Sequence, residues 1–343
     1  MRPTIYTVAE RAGVSIATVS RVLNGTARVS DRTQAKVRRA MDELDYQPNA
    51  SARGLAANAT STIALVFPKL SGPFYSELIR GAEIAASESD YHLLIYGASG
   101  KALGQDSQTL GMLTTKADGL ILAGSIVSHC YLQDLQRRDV ALVVLGEVPS
   151  DTSVDCIQPD NVGGAEEAVT HLIQHGYRRI AMIRGPASRT HASDRERGYR
   201  KALAVQGLPH RTELVVAGAF SEASGYAAMG RLLELEPIPD AVFAASDQMA
   251  IGAMAAVHDA RLRVPEDVAL VGFDDIETAQ YTQPPLTTVH QDMLGQGQLA
   301  VRHLLDRING AEPSGETKIL PTTLVIRRSC GCADEGFKAG NSA

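Results

Sequence analysis

The chain has 343 residues, of which 44% are hydrophobic and 21% charged, and its formal net charge is −6 at pH 7. This length exceeds what one hydrophobic core usually serves, so we expect two or three domains. No apolar run is long enough to cross a bilayer and no secretory leader follows Met1, which argues against membrane and exported proteins and predicts a cytoplasmic protein without a membrane partner.

Charge is distributed unevenly along the chain. Residues 1–60 contain nine Lys or Arg and five Asp or Glu, a net charge of +4, whereas the remainder carries −10. A local excess of basic residues is the electrostatic footprint of a nucleic-acid-binding module. The amino-terminal segment is therefore the part of the chain that we expect to contact DNA.

The first predicted elements form a helix-turn-helix. A short helix should begin at Thr7, because its hydroxyl and the Glu10 carboxylate stand three residues apart, the spacing of a capping box. Gly13 supplies the turn, and Ser15 can accept hydrogen bonds from the free N–H groups that open a second helix. The inward stripe of that helix comprises Val19, Val22 and Leu23.

The outward face of the second helix suits a DNA major groove. Arg21 can bond O6 and N7 of one guanine, and Ile16 and Ala17 can contact thymine methyl groups. Short polar side chains that can reach phosphate oxygens complete this face, namely Ser15, Thr18, Ser20 and Asn24. A helical hairpin with a solvated polar face is the alternative interpretation.

A third helix is expected from Ser30, its N-cap, through Asp45. Pro48 ends it, and Asn49 can cap a short further helix. The apolar stripe that packs the third helix onto the first two comprises Val37, Ala40, Met41 and Leu44.

These motifs resemble the DNA-binding signature of the lactose-repressor (LacI/GalR) family of bacterial transcription regulators. The matching segments, in order and spacing, are Val8-Ala9, 12–15, 18–24, 46–49, Ala52-Arg53 and Leu55-Ala56. The resemblance implies a hinge helix over about 49–56 that forms on operator DNA, with Leu55 as an apolar wedge in the minor groove. Gly54 and Ala57 make this segment a poor helix on its own, so an ordinary flexible linker remains open. The candidate DNA-binding residues are Thr4, Ser15, Ile16, Ala17, Thr18, Ser20, Arg21, Asn24, Asn49, Ala52 and Leu55.

From Ser61 onward, continuous apolar runs alternate with amphipathic segments of helical length. Such runs are typical of strands buried on both faces of a parallel sheet. The predicted strands are 63–67, 93–96, 120–122, 141–145, 180–183, 214–216, 241–244 and 268–271, and the predicted helices include 75–89, 162–175, 193–206, 226–235, 248–258 and 293–308. This alternation predicts an α/β core with doubly wound parallel sheets and right-handed crossovers.

The number of units exceeds what one sheet needs, so we expect two doubly wound parallel-sheet lobes behind a small all-α helix-turn-helix head. The resemblance implies that these lobes are of the periplasmic sugar-binding-protein type. A break near 158–160 starts the second series, and helix 293–308 returns to the first lobe. The expected division is a DNA-binding domain at 1–47, a hinge helix and linker at 48–60, a first lobe at 61–158 with 291–320, a second lobe at 159–290 with 321–330, and a flexible tail at 331–343.

Ligands bind open α/β sheets at the carboxyl ends of the strands, which places an effector cleft between the lobes. By resemblance, the Arg195 guanidinium clasps effector hydroxyls, Ser246 and Asp274 contact the effector, and Phe220 packs against its ring. Asp247 is expected to cap the following helix instead. The family often has Asn where Ser246 stands, so a two-way amide contact is missing. The candidate effector-binding residues are Phe74, Tyr75, Arg189, His191, Arg195, Phe220, Ser246, Asp274 and Gln291.

Some aromatic and arginine side chains in these segments could have a structural role instead of binding the effector. Phe74 could equally be a buried core residue, and the neighbouring Arg197 and Arg200 are expected to be solvent-facing helix charges. Aromatic faces rimmed by arginine and aspartate suit a sugar, which has an apolar face and a polar belt.

Enzyme motifs are missing from the sequence. The Gly97–Lys101 loop lacks the spacing of a phosphate-binding loop, and no Gly-x-Ser-x-Gly elbow occurs. His171 and His175 share a helix face, but no glutamate follows the first, so we expect a surface pair. We expect no cofactor and no metal, and we interpret the four cysteines as structurally incidental, namely Cys130, Cys156, Cys330 and Cys332.

The function hypothesis is a cytoplasmic, nucleoid-associated bacterial repressor of sugar-catabolism genes and not an enzyme. A homodimer would bind double-stranded, pseudo-palindromic operator DNA and release it when a mono- or disaccharide closes the cleft. The first alternative is a regulator with a purine, nucleoside or sugar-phosphate corepressor. Arg189 and His191, near the predicted effector loop, are the residues that suggest it. The second is a sugar-processing enzyme or binding module whose head serves another partner. The tail from Ser329 lacks leucine heptads, so no tetramer-forming coiled coil is expected.

Overall fold

The computed structural model describes residues 3–24, 29–46, 59–67, 74–98, 107–123, 129–148 and 152–332. The chain divides into two units, residues 1–61 and 62–343. None of the described helices is long and apolar enough to span a membrane.

The first unit is a three-helix head. Its helices are α1 (Ile5–Ala12), α2 (Ile16–Asn24) and α3 (Asp31–Glu43). Gly13 follows α1 at φ 67°, a left-handed conformation that glycine adopts without strain. The predicted stripes meet in a small core in which Val8, Val19 and Val37 are fully buried. This packing fixes α2 relative to the other two helices and leaves its opposite face exposed.

The predicted start of α1 was wrong. The capping box consists of Thr4 and Thr7, and Glu10 has no part in it. The Thr7 N–H donates to Thr4 Oγ1 at 3.4 Å, and the Thr4 N–H donates to Thr7 Oγ1 at 2.9 Å. Thr4 has an extended backbone with φ −125°, the N-cap conformation, whereas Thr7 already lies inside the helix. The predicted caps of the other two helices are confirmed, because the N–H of Thr18 donates to Ser15 and that of Thr33 donates to Ser30.

The second unit contains two lobes built on parallel sheets. The first lobe has six strands in the spatial order β11-β5-β4-β3-β1-β2. These are β1 (Thr62–Phe67), β2 (His92–Gly97), β3 (Gly119–Ala123), β4 (Ala141–Leu145), β5 (Asp155–Pro159) and β11 (Thr317–Leu320). Its helices are α4 (Phe74–Glu88), α5 (Ser107–Lys116), α6 (His129–Arg137) and α11 (Met293–Ile308).

The late helix α11 packs closely on α4, as the sequence predicted for a helix that returns to the first lobe. Glycines make this approach possible. A Cβ on Gly81 would clash with the carbonyl oxygen of Leu294, and one on Gly297 would clash with that of Leu78. The two helix backbones are therefore in direct contact.

The second lobe has four parallel strands in the order β7-β6-β8-β9. These are β6 (Ile180–Arg184), β7 (Val215–Ala217), β8 (Ala241–Ala244) and β9 (Ala269–Val271). Its helices are α7 (Asn161–Gln174), α8 (Thr190–Val205), α9 (Glu222–Leu233) and α10 (Asp247–Asp259). A separate antiparallel pair, β10 (Thr288–Gln291) and β12 (Thr322–Val325), lies against α7.

Several elements differ from the sequence prediction. Strand β5 belongs to the first sheet, and Asp160 directly after it caps α7. Residues 212–214 form a short 3-10 helix, which moves β7 one residue later. Helix α9 begins four residues early because Ser221 and Ser224 form a capping box. Five strands and helices besides β5 were not predicted, namely α5, α6, β10, β11 and β12.

Candidate functional site

The carboxyl ends of the second-lobe strands bring the candidate effector residues together. Phe220 follows β7, Ser246 follows β8 and Asp274 follows β9. Arg195 projects from the second turn of α8, after β6. Parallel strands end at the same sheet edge, so four separate segments of sequence meet at one place.

Arg195 is the centre of this edge and is only 3% exposed. Its Nη1 donates to Asp274 Oδ1 at 3.1 Å and to the Ala245 carbonyl at 2.6 Å, and its Nε donates to Asn161 Oδ1 at 2.9 Å. The guanidinium carbon lies 3.7 Å from the centre of the Phe273 ring, within cation–π range. These contacts hold the guanidinium in a single orientation.

Asp274 completes a buried network with a second amide donor. Gln291 Nε2 donates to Asp274 Oδ1 at 2.5 Å. Burial raises the pKa of Asp274 to about 6, although the Arg195 charge and hydrogen bonds act in the opposite direction. The backbone is left-handed at both Asp274, φ 122°, and Asp275, φ 55°. Because non-glycine residues are strained there, this turn is held by its surroundings, including the bond from the Asp274 N–H to the Val289 carbonyl.

The prediction that Asp247 caps a helix was wrong. Ser246 is the N-cap of α10 and accepts from the Met249 N–H at 3.3 Å. Asp247 instead turns inward, where it accepts from Thr288 Oγ1 at 2.5 Å and from the Ile276 N–H at 2.9 Å. It is fully buried, and burial together with the Asp274 charge raises its pKa to about 7. The cap role of Ser246 explains its burial without a ligand.

Aromatic rings lie beside this polar network. Phe220 has φ 56°, strained for a bulky residue, and its ring centre lies 5.1 Å from that of His191 at an interplanar angle of 29°. Gly185 leaves room for the ring, since a Cβ there would clash with it. Burial, together with the charges of Arg195 and Arg189, lowers the pKa of His191 to about 3, so its imidazole is neutral at pH 7.

The first lobe contributes Tyr75 from the start of α4. Its ring centre lies 4.6 Å from that of Phe67. Burial raises the pKa of Tyr75, and the charges of Arg189 and Asp274 also act on its hydroxyl. These second-lobe charges therefore lie near a first-lobe aromatic ring. The Phe74 side chain lies outside the described part of the structure.

The DNA-binding candidates divide into three groups. Ile16, Ala17 and Arg21 are exposed on α2. Thr4 and Ser15 are capping residues, and Thr18 Oγ1 lies 2.9 Å from Ser15 Oγ, while Ser20 is half-buried. The Asn24 side chain and the candidates Asn49, Ala52 and Leu55 lie outside the described residues. The exposed trio is thus the part of this group that the structure places on one face.

Some residues that contact the buried charged groups of the site were not identified from the sequence. Asn161 begins α7 and orients Arg195, and Thr288 contacts Asp247, but neither stands in a recognisable motif. The Phe273 ring beneath Arg195 could have been noticed from its place beside Asp274.

The prediction that His171 and His175 form a surface pair was wrong for His171, which is buried, whereas His175 is exposed as predicted. His171 is 8% exposed, and both imidazoles lie beside the sulfur atoms of Cys330 or Cys332. The partners are about 160 residues apart in sequence, which is why spacing rules did not reveal them.

Comparison with known proteins connects both units to one family. Residues 4–49 match the model of bacterial regulatory proteins of the lacI family, and residues 169–330 match that of a periplasmic binding protein-like domain. The HTH-type transcriptional regulator CelR of Thermobifida fusca is 38% identical over 96% of this chain and 98% of its own length. The HTH-type transcriptional repressor PurR of Erwinia tasmaniensis is 36% identical over 95% and 96%, respectively.

Solved structures agree with this result. The Lac repressor dimer bound to operator and the anti-inducer ONPF is 31% identical, with a TM-score of 0.83 over 96% of this chain and 99% of that one. A CelR–cellobiose complex is 38% identical, with a TM-score of 0.72 over 96% and 100%. The chain therefore belongs to the lacI family of bacterial regulatory proteins and is a DNA-binding transcription regulator.

Proposed function

We propose that this protein is a repressor whose homodimer binds a pseudo-palindromic operator and is released by a small neutral sugar. The observation that carries the choice of ligand is the buried pair of Arg195 and Asp274 at the carboxyl edge of the second-lobe sheet, with the Phe220 and His191 rings in the same lobe. A fixed donor next to a fixed acceptor is what adjacent sugar hydroxyls require, because each hydroxyl both donates and accepts.

Charge at the site favours a neutral ligand. The Arg195 and Asp274 side chains are 3% and 7% exposed and form an ion pair at 3.1 Å, so the guanidinium charge is already compensated. A phosphate placed against Arg195 would also approach the Asp274 carboxylate. Nε and Nη1 of Arg195 are engaged with acceptors in the described residues, which leaves Nη2 to donate to a ligand hydroxyl.

The aromatic groups suit the apolar face of a sugar ring. Phe220 and His191 come from the second lobe and Tyr75 from the first. A ligand held between them would bridge the lobes and stabilise their closed arrangement. CelR, a relative across almost the full chain, has been solved in complex with cellobiose, which supports a sugar.

A purine corepressor is the second candidate. The neutral His191 ring and the Phe220 ring are nearly parallel, and such a platform would also accept a planar base. Because PurR is a relative of this chain, purine bases are included among the ligands tested below.

For the head, the exposed trio of Ile16, Ala17 and Arg21 would enter the major groove, with one helix α2 in each half-site. The hinge segment with Asn49, Ala52 and Leu55 would contact the minor groove at the symmetry centre. Thr4, Ser15, Thr18, Ser20 and Asn24 would contact phosphates and set the register. Lobe closure on the effector would alter the dimer and separate the two heads, which lowers operator affinity.

Effector screening tests the ligand choice. The purified protein is exposed to cellobiose, to pentoses and hexoses, to purine bases and to sugar phosphates, and its melting temperature is followed. We expect a neutral sugar to raise the melting temperature and to dissociate an operator complex. Stabilisation by a purine base or a phosphate that strengthens DNA binding would replace this proposal with the corepressor alternative.

Arg195→Lys tests the site itself. The variant keeps a positive charge opposite Asp274 but loses the planar fork, so sugar affinity should fall about 10–100-fold while operator binding persists. Arg197→Lys on the same helix is the matched control, because that side chain is 68% exposed and pairs with Asp194. Equal sugar responses in both variants would remove Arg195 from the effector site.

A further inference from the structure

Four side chains of the two types that most often bind zinc, histidine and cysteine, meet on the second lobe. His171 and His175 stand one turn apart on α7 and at its C-cap. Cys330 and Cys332 lie in the segment that follows β12. Gly331 between them has φ 90°, and this left-handed residue turns the chain so that both sulfur atoms approach α7.

Four distances between the ligand atoms are close to those of one coordination sphere. Cys330 Sγ lies 3.3 Å from His171 Nε2 and 3.3 Å from Cys332 Sγ. Cys332 Sγ lies 3.0 Å from His175 Nε2 and 3.5 Å from His171 Nε2. In a tetrahedral zinc site, bond lengths of about 2.0–2.3 Å separate neighbouring ligand atoms by about 3.3–3.8 Å. Four of the six pairs of ligand atoms are thus within a few tenths of an ångström of that spacing, and the ligand atoms of His171, His175 and Cys332 all lie within 4.8 Å of one another.

A disulfide does not account for this geometry. The two sulfur atoms are well beyond the S–S bond length of about 2.05 Å. The cluster also contains two imidazoles, which a disulfide would not need.

Neighbouring groups orient the ligands as they do around metals. His175 Nδ1 lies 2.9 Å from the His171 carbonyl oxygen, which can only accept, so Nδ1 holds the proton and Nε2 directs its lone pair toward Cys332. The Thr287 hydroxyl donates to Cys330 Sγ at 3.1 Å, a contact that favours a thiolate. Both arrangements are what a bound cation requires.

We propose that His171, His175, Cys330 and Cys332 bind one Zn²⁺ ion in a tetrahedral, structural site. Two nitrogen and two sulfur ligands select zinc among common divalent ions, because harder ions prefer oxygen. Four protein ligands leave no open coordination position, so the ion has a structural role. It would fasten the carboxyl-terminal segment to α7.

This fastening would reach the effector site through one arginine. Arg327, three residues before Cys330, donates to Asp275 Oδ1 at 2.7 Å and to the Leu286 carbonyl at 2.8 Å. Asp275 adjoins Asp274 in the left-handed turn. An anchored segment would thus help to hold that turn.

The test measures metal in the full-length protein. After incubation with ZnSO₄ under reducing conditions and gel filtration, mass spectrometry should find about one zinc ion per chain. The double variant H175Q/C332S should lose most of it. These two positions are chosen because they are more exposed than Cys330 and His171, so the core stays intact.

Matched controls and a second readout complete the experiment. Cys130→Ser and His92→Gln alter exposed residues elsewhere and should keep the zinc. With Co²⁺, the wild type should show intense tetrahedral d–d bands and thiolate charge-transfer absorption, and Cys332→Ser should lose about half of the latter. Equal zinc in the double variant, octahedral cobalt spectra, or a Cys330–Cys332 disulfide in protein that binds no metal would each overturn the proposal.

Discussion

At the scale of single residues, the least expected feature is the fully buried Asp247. Resemblance assigned it no ligand contact and local sequence suggested a cap, yet it lies among Thr288, the Ile276 N–H and Gly272. A Cβ at Gly272 would clash with its carboxylate, so the glycine provides the space. Because burial raises the pKa of Asp247 from 3.8 to about 7, the folded protein holds a proton that the unfolded chain releases.

This difference sets the sign of a pH effect. Between pH 4 and 7 the folded state binds the extra proton, so the contribution of Asp247 to the free energy of unfolding falls as pH rises. Asp247→Asn mimics the protonated form and should remove that slope, which is of order 1 kcal/mol per pH unit. Urea unfolding across this range should show that the free energy of unfolding of the variant rises relative to that of the wild type as pH increases. Asp90→Asn, at an exposed position, is the control, and parallel curves for Asp247→Asn and the wild type would refute the buried-proton interpretation.

Arg195, Asp274 and Gln291 were among the candidate residues, whereas Asn161, which orients Arg195, was not. Asn161 is 34 residues from Arg195 in sequence, and Asp274 is 79 residues away. No local pattern encodes such contacts, because they depend on how four strand ends are ordered in the sheet. The sequence therefore indicates the principal side chains of the site but not the network that orients them.

At the scale of elements, apolar runs located the central strands well. Strand 141–145 and helix 293–308 were predicted with the observed bounds. The missed strands β11 and β12 are short, carry threonine or lysine and are partly exposed. Edge and crossover strands bury too little surface to show a continuous apolar run, which is the physical reason they escaped.

Helix α9 in the second lobe contains two glycines, one that contacts another helix and one that does not, and they form a test position and its control. Gly225 faces α10, and a Cβ there would clash with the Met249 carbonyl oxygen, whereas Gly230 has no atom within 4 Å of a Cβ. Gly225→Ala should lower the free energy of unfolding by about 1–3 kcal/mol, because two backbones must separate. Gly230→Ala should raise it by about 0.5–1 kcal/mol through helix propensity. Thermal or urea unfolding measures both, and equal effects would show that α9 and α10 are not in backbone contact.

At the scale of the whole molecule, composition and alternation were enough to predict a cationic helical head and a two-lobe α/β core. The chain's membership of the lacI family agrees with both. What the sequence could not supply was the meeting of distant segments, such as α7 with Cys330 and Cys332. Such contacts arise from tertiary packing between elements that are far apart along the chain.

The central claim is that two heads read a twofold-symmetric duplex and that a sugar releases them. Selection of bound DNA from a random pool, read by sequencing with and without the sugar, measures this directly. We predict an inverted repeat that disappears with sugar, and for Arg21→Ala a preference at one symmetric G·C pair relaxed by about 1–3 kcal/mol, while Arg39→Ala leaves the preferred sequence unchanged. Enrichment of no symmetric site in the wild type, at low salt and with or without the sugar, would contradict the account.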